Sequence, residues 1–367
     1  MIVPLVLGFY ITVCISVVLF NIWIVCSERV MNALMERRMK CFRALFSKKM
    51  LIHKEYSPHA YDRVLRRYAR KLRTDGQLMA FQNAMDALAV EQPEEYASLA
   101  PMLAELVERA LPVQKKKKGS KQAYYTYLIT HFQVMKHCPT ERLLDFLLSQ
   151  IRENKSLYNL ENALRALYSY EKVEPVLEAL ALLNGSTERA IHEKLVIDGL
   201  LTFSGRDELI HAIWERFDRY APTMKELLLD YIRFASGAGG EKMAALLEST
   251  KSKEEQTACI RYFGKYPSDS FREKLYAITE STLENEWEIA NVCMTVLSSY
   301  PGGRTLEYLK RGVCSRSWYV RYNAAMSLKA LHVSEAELSD ILCGKDRYAK
   351  EMLCYRLGYG VPETIAQ

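Results

Sequence analysis

The sequence predicts an all-α fold, a right-handed α-solenoid of helical hairpins carried behind one transmembrane helix. Three observations lead there. Residues 2–26 carry no charged side chain and are dominated by Val, Ile, Leu and Phe. Downstream, an apolar anchor recurs at Leu167, Leu201, Ile232, Phe263, Leu297 and Leu328, at spacings of 34, 31, 31, 34 and 31 residues. Four residues before each anchor stand Ala163, Ile197, Leu228, Cys259, Cys293 and Ala324, all apolar and mostly small. A fixed period in this range marks stacked helical repeats, and strand-type alternation is absent.

The N-terminal run is long enough to cross the roughly 30 Å hydrocarbon layer, which takes about 20 helical residues. Trp23 near its end suits a membrane interface. A cleaved signal peptide is the competing reading, but it wants a basic leader and a small-x-small cleavage site. Here the leader has no charged side chain and the run ends in Ile24-Val25-Cys26-Ser27-Glu28-Arg29. Nothing basic precedes the run, whereas Arg29, Arg37, Arg38, Lys40 and Arg43 follow it closely. Positive-inside bias then puts the N-terminus outside and the bulk of the chain in the cytoplasm.

Residues 27–56 form a basic juxtamembrane helix or linker. Residues 27–73 hold fourteen Lys/Arg against four Asp/Glu, net +10, so the overall +6 leaves residues 74–367 at −4. The basic character therefore belongs to one end of the molecule. Arg37, Arg38 and Lys40 either face acidic headgroups, at about 1 kcal/mol each near an anionic leaflet, or simply fix topology. Residues 61–73 predict a second cationic helix, with Arg63, Arg66, Arg67 and Arg70 around an apolar stripe of Val64, Leu65, Tyr68 and Leu72. These arginines suit anionic lipid or nucleotide phosphates. Nucleic acid fits poorly, because a membrane span precedes the helix and the rest of the chain is acidic.

Hairpins follow. Gly76 ends the second basic helix, residues 77–90 form the next, and Gln92-Pro93 breaks the chain before a helix over 94–111. Lys115 to Lys118 make a polar loop after Pro112. Helices are then expected over 124–136, 140–152, 157–170, 173–183, 188–203, 207–219, 223–235, 241–249, 253–266, 270–279, 286–300, 305–312, 318–331, 335–342 and 348–357. The turns fall on breakers: Asn184-Gly185, Pro222, Gly237 to Gly240, Pro267, Pro301-Gly302-Gly303 and Gly344. The solenoid spans 57–358, with a tail over 359–367.

The unit at 318–331 carries Val320-Arg321 and Ala324-Ala325 before Leu328, and so resembles the HEAT-repeat, armadillo-like family. Ile289-Ala290 replaces the Val-Arg pair one unit upstream, and earlier units keep the apolar spacing without the arginine. The resemblance implies hairpins whose second helices line a concave face that commonly holds a protein partner. It also makes Arg321 a structural tie between neighbouring hairpins.

Chemistry is sparse. No phosphate-binding loop, dinucleotide fingerprint, zinc-protease motif or nucleophile elbow is present. The nine cysteines include no C-x-x-C pair, which favours free thiols over a disulfide framework. His131 and His137 are six residues apart on one helix and cannot share an ion from one face. Adjacent His137 and Cys138 likewise do not face each other. The reading is therefore non-catalytic, without cofactor or metal.

Aromatics are more suggestive, since Tyr and Trp are favoured interface anchors. Trp318, Tyr319 and Tyr322, with Arg321, form the best cluster, because they cannot all point inward from one helix, and Trp287 is a further partner-binding candidate. The expected function is a membrane-tethered cytosolic scaffold that docks a protein partner. A membrane-embedded envelope glycan synthase or transporter fits that position. Two other classes stand beside it: a lyase- or chaperone-like module with a concave pocket, and a sensor of anionic lipid or nucleotide through residues 63–73.

Overall fold

The computed structural model describes residues 2–45, 57–153, 156–184 and 193–358. Within them the chain is all-helical, 81 % helix with no strand. Residues 46–56 of the juxtamembrane segment, the first residues of the helix expected over 188–203, and the tail over 359–367 lie outside the described residues. The chain divides into two compact units, Met1–Leu183 and Asn184–Gln367.

The first unit begins with α1, Ile2–Leu45, one unbroken helix of 44 residues, about 66 Å long at 1.5 Å per residue. It is long and apolar enough to cross a membrane. Past Cys26 it continues without a break, because residues 27–45 contain neither Gly nor Pro. Its last turns are not a free linker. Met35, Arg38, Met39, Cys41 and Phe42 make one covered face, the spacing of a helix laid on a neighbour. Phe42 is only 1 % exposed, with its ring 5.5 Å from Phe81 and 6.2 Å from Tyr68. Arg43 pairs with Glu91 at 3.0 Å, and Lys71 Nζ lies 3.1 Å from Cys41 Sγ.

Those partners come from α2 (Pro58–Lys71), opened by a proline in its first turn, and α3 (Asp75–Glu91). Both pack on α4, Pro93–Gln114. Pro112 does not end α4; the helix continues two residues past it, to Gln114. Helices α5 (Ser120–His131), α6 (Val134–His137), α7 (Glu141–Glu153), α8 (Leu157–Tyr168) and α9 (Val173–Asn184) follow, with α5 and α7 both against α8. The single helix expected over 124–136 is interrupted. Gln133 adopts a left-handed conformation, φ 48°, and the chain restarts as α6.

In the second unit, helical hairpins repeat: α10 (Glu193–Leu200), α11 (Arg206–Glu215), α12 (Pro222–Ala235), α13 (Gly240–Ser249), α14 (Lys253–Lys265), α15 (Asp269–Thr282), α16 (Trp287–Leu297), α17 (Gly303–Val313), α18 (Trp318–Ala330), α19 (Ser339–Leu342) and α20 (Arg347–Leu357). Short 3₁₀ turns at Phe217–Arg219 and Ala336–Leu338 join some of them. Each even-numbered helix packs on the next, α10 on α12 and so on to α20. The repeat anchors form this core: Ile232, Leu297 and Leu328 are fully buried, as are Leu228, Cys259, Cys293 and Ala324 four residues ahead of an anchor. Small residues there let helices approach closely. A Cβ at Gly264 would meet the Val296 side chain at 2.9 Å.

Cross-repeat hydrogen bonds reinforce the stack. Ser299 Oγ donates to the Gly264 carbonyl at 2.8 Å, Tyr300 to the Phe263 carbonyl at 2.9 Å, and Ser327 Oγ to the Met294 carbonyl at 2.7 Å. Arg321 contributes as well. Its guanidinium donates to the Ser315 carbonyl and meets Asp346 at 3.0 Å, the residue that caps α20 through the Ala349 N–H at 3.1 Å.

Candidate functional site

The first turn of α18 explains why its aromatics stay outside. Val320, Ala324, Ala325 and Leu328 take the buried face, which turns Trp318 and Tyr319 away from it. They remain 55 % and 57 % exposed, and Trp287, at the start of α16, is 45 % exposed. The rings nonetheless order one another. Trp287 stacks on Tyr319 across the two helices at 5.4 Å and 24°. Tyr319 meets Trp318 edge-on at 5.4 Å, and Trp318 stacks on Tyr322 at 5.2 Å. Tyr322 in turn carries the Arg356 guanidinium at 4.2 Å, and Arg356 also lies 4.6 Å from the Tyr355 ring.

The sequence-predicted residues Trp287, Trp318, Tyr319 and Tyr322 are thus one continuous run. Sequence reasoning missed Arg356, Tyr355 and Tyr348, which α20 adds to the same surface; Tyr348 and Tyr355 are 71 % and 76 % exposed. Their signal was an aromatic at each end of a helix with only Ala349, Leu353 and Cys354 facing inward. Rings held by neighbours at π-stacking distance lose less entropy on binding than freely rotating ones. A large aromatic buries about 150–250 Å², so covering the exposed half of each stabilises a complex by roughly 2–3 kcal/mol per ring before association costs. Among other aromatics, Tyr231, Tyr262 and Tyr300 are core residues.

The basic residues fall in two places. Arg37 and Lys40 project from α1 into solvent, while Arg38 lies over Gly76, where a Cβ would meet its guanidinium at 2.5 Å. On α2, Arg63, Arg66, Arg67 and Arg70 are exposed, and Tyr61, Leu65 and Ala69 are buried. Arg66 pairs with Asp62, and Arg66 and Arg109 together hold the Asp62 carboxyl below the usual range. Arg66 and Arg70 join Arg109 of α4 and Arg142 of α7 around a cleft of about 250 Å³. At its base the buried Glu108 accepts from Arg142 at 3.0 Å and from Thr140 at 3.1 Å. Lys117 is not a solvated loop residue, since it meets Asp75 at 2.8 Å.

Three thiols and one histidine of the sequence analysis are held by their surroundings. Burial pushes the Cys138 thiol up, and pushes Cys259 and Cys293 up to about 12, so these thiols are poor nucleophiles. His131 is held by Asp86 at 2.7 Å and by Tyr127 at 3.2 Å. Among the described residues no cluster of three His, Cys, Asp or Glu side chains is placed to hold a metal ion. Compared with known proteins, the chain matches no family model and no curated protein.

Proposed function

We propose that the chain is a membrane-tethered, non-catalytic scaffold that docks a protein partner on the aromatic run of its second unit. The single observation that carries this reading is the run itself: Trp287, Trp318 and Tyr319, each about half exposed, with Trp287 stacked on Tyr319 across two helices and Trp318 edge-on to Tyr319. Exposed, pre-ordered aromatics are costly to leave in water and mark surfaces meant to be covered. The consecutive packing of α10 to α20, and the Arg321–Asp346 tie, support a HEAT-like stacking of hairpins, whose right hand is what the family resemblance implies. In this reading α1 spans the membrane with its N-terminus outside, and the helical body stands in the cytoplasm beside a membrane-embedded enzyme or transporter.

A photo-crosslinking residue at Trp318, in protein expressed in intact cells, tests it. The expected result is one discrete adduct that disappears with Trp287→Ala and Tyr319→Ala. The same crosslinker at exposed Tyr158, in the first unit, is the control. An adduct pattern identical at both sites, or none at Trp318, overturns the reading.

A second reading, recognition of an anionic lipid headgroup or nucleotide, is favoured by the cleft of Arg66, Arg70, Arg109 and Arg142. Its test is vesicle binding: Arg66→Glu with Arg70→Glu lowers retention on phosphatidylserine vesicles if the cleft faces lipid. Unchanged retention and unchanged nucleotide binding eliminate it.

A further inference from the structure

Beside the aromatic run, on the same succession of helices, lies a second feature that the run does not explain. A groove of about 490 Å³ crosses α12, α14, α16 and α18, with Arg233, Arg261, Lys265, Asn291 and Asn323 along it and Val292 and Val296 beneath. No carboxylate lines it. This stands out in a unit whose residues 184–367 hold 24 Lys/Arg against 26 Asp/Glu, net −2. Arg233 is neutralised by Asp230 at 2.8 Å. Arg261 and Lys265, one turn apart on α14, are both exposed. Lys265 donates to the Phe234 carbonyl at 3.2 Å, and neither it nor Arg261 meets a carboxylate among the described residues.

Length selects the shape of the occupant. Neighbouring helices sit about 8–10 Å apart, so a groove over four of them runs roughly 25–30 Å. An extended chain rises about 3.3 Å per residue and fills that length with about eight residues; a compact anion does not. Asn291 on α16 and Asn323 on α18 add side-chain amides, joined by an Asn323 Nδ2 to Asn291 Oδ1 bond of 2.7 Å. The Asn291 amide N–H groups are left for a peptide carbonyl. Trp287 and Tyr319 stand one turn before Asn291 and Asn323 on the same helix faces, so the aromatic run is continuous with the groove. Two cations without a carboxylate partner, Arg261 and Lys265, are sparse over some 25 Å for a nucleic-acid backbone.

We propose that this groove takes an extended acidic peptide, its carboxylates at Arg261 and Lys265, its backbone at Asn291 and its apolar end on Trp287 and Tyr319. The inference rests on the scaffold reading and names the part of the partner that docks. The test uses the full chain in neutral phosphatidylcholine nanodiscs and a fluorescein-labelled peptide of alternating glutamate and serine led by one tryptophan. The control replaces each glutamate with glutamine.

Anisotropy is expected to show the acidic peptide binding at least about tenfold tighter than the control, and weakening with salt. Arg261→Gln with Lys265→Gln, on an exposed face, is expected to remove that preference without moving Tm. Equal binding of the glutamine peptide, or no effect of the double change, overturns the inference. So does equally tight binding of single-stranded DNA that the same changes abolish. A Trp318 crosslink that persists while the acidic peptide fails leaves the scaffold reading standing and sinks this one. Loss of the crosslink with acidic-peptide binding intact does the reverse.

Discussion

Phe42→Ala is the sharpest perturbation of how the long N-terminal helix is held by the helices that follow it. The ring is buried where the end of α1 rests on α3, against Phe81 and near Tyr68. A Phe→Ala change at a closed site costs about 3–5 kcal/mol, combining lost transfer free energy with the cavity left behind. The flanking Arg43–Glu91 pair is about half exposed on both sides, and such pairs contribute about 0–1 kcal/mol. The ring therefore governs docking of residues 35–45, and the ion pair does not.

Where opening is fast relative to cleavage, proteolysis follows the open population. Trypsin acting on nanodisc-embedded protein at Arg37, Arg38, Lys40 and Arg43 is then expected to release the helical body about a hundred- to several-thousand-fold faster in Phe42→Ala than in wild type. Arg43→Ala, scored at the remaining sites, is expected to change the rate about fivefold or less. Wild type and Phe42→Ala cut at the same rate would refute the docked helix and return this segment to a free tether.

Other expectations follow from the same geometry. Burial pushes the Asp346 carboxyl up, but Arg321 and the Ala349 N–H outweigh it and hold the group below its usual value. A carboxyl depressed in the folded state stabilises above its unfolded pKa of about 3.9, and that contribution is lost as pH falls further. Arg321→Ala is thus expected to lower stability at pH 7 by about 1–3 kcal/mol in urea melts and to flatten the pH dependence below about pH 4. Cys259 and Cys293, buried and pushed up to about 12, are expected to resist alkylation at pH 8 until the protein is denatured, which mass spectrometry reads by peptide. Gly264→Val forces branched carbons into Val296, where even a Cβ stands at 2.9 Å, and is expected to cost about 1–3 kcal/mol. Trp318→Ala, by contrast, is expected to leave Tm nearly unchanged in thermal melts, because the ring is about half exposed.

Much of this molecule was determined by local pattern. Hydropathy alone marked an N-terminal helix long and apolar enough to cross a membrane, because length and composition are properties of the chain itself. The recurring apolar anchors and glycine or proline breakers placed most helices within a few residues, since helical periodicity and turn chemistry are properties of adjacent positions. The outward set of Trp287, Trp318, Tyr319 and Tyr322 was legible for the same reason: with Val320, Ala324 and Leu328 turned inward, one helix has no inward room left.

What only the tertiary structure decided is which faces meet. Nothing in the amphipathic pattern of residues 27–45 distinguishes a helix floating on headgroups from one pinned by Phe42 to Phe81, thirty-nine positions away. The gathering of Arg66 and Arg70 with Arg109 and Arg142, the addition of Arg356 and Tyr355 to the aromatic run, and the amide pair of Asn291 with Asn323 are likewise pairings between separate helices. A period fixes how each helix is striped. The partner of each stripe depends on interhelical packing, where small residues such as Gly264 set how closely the backbones approach.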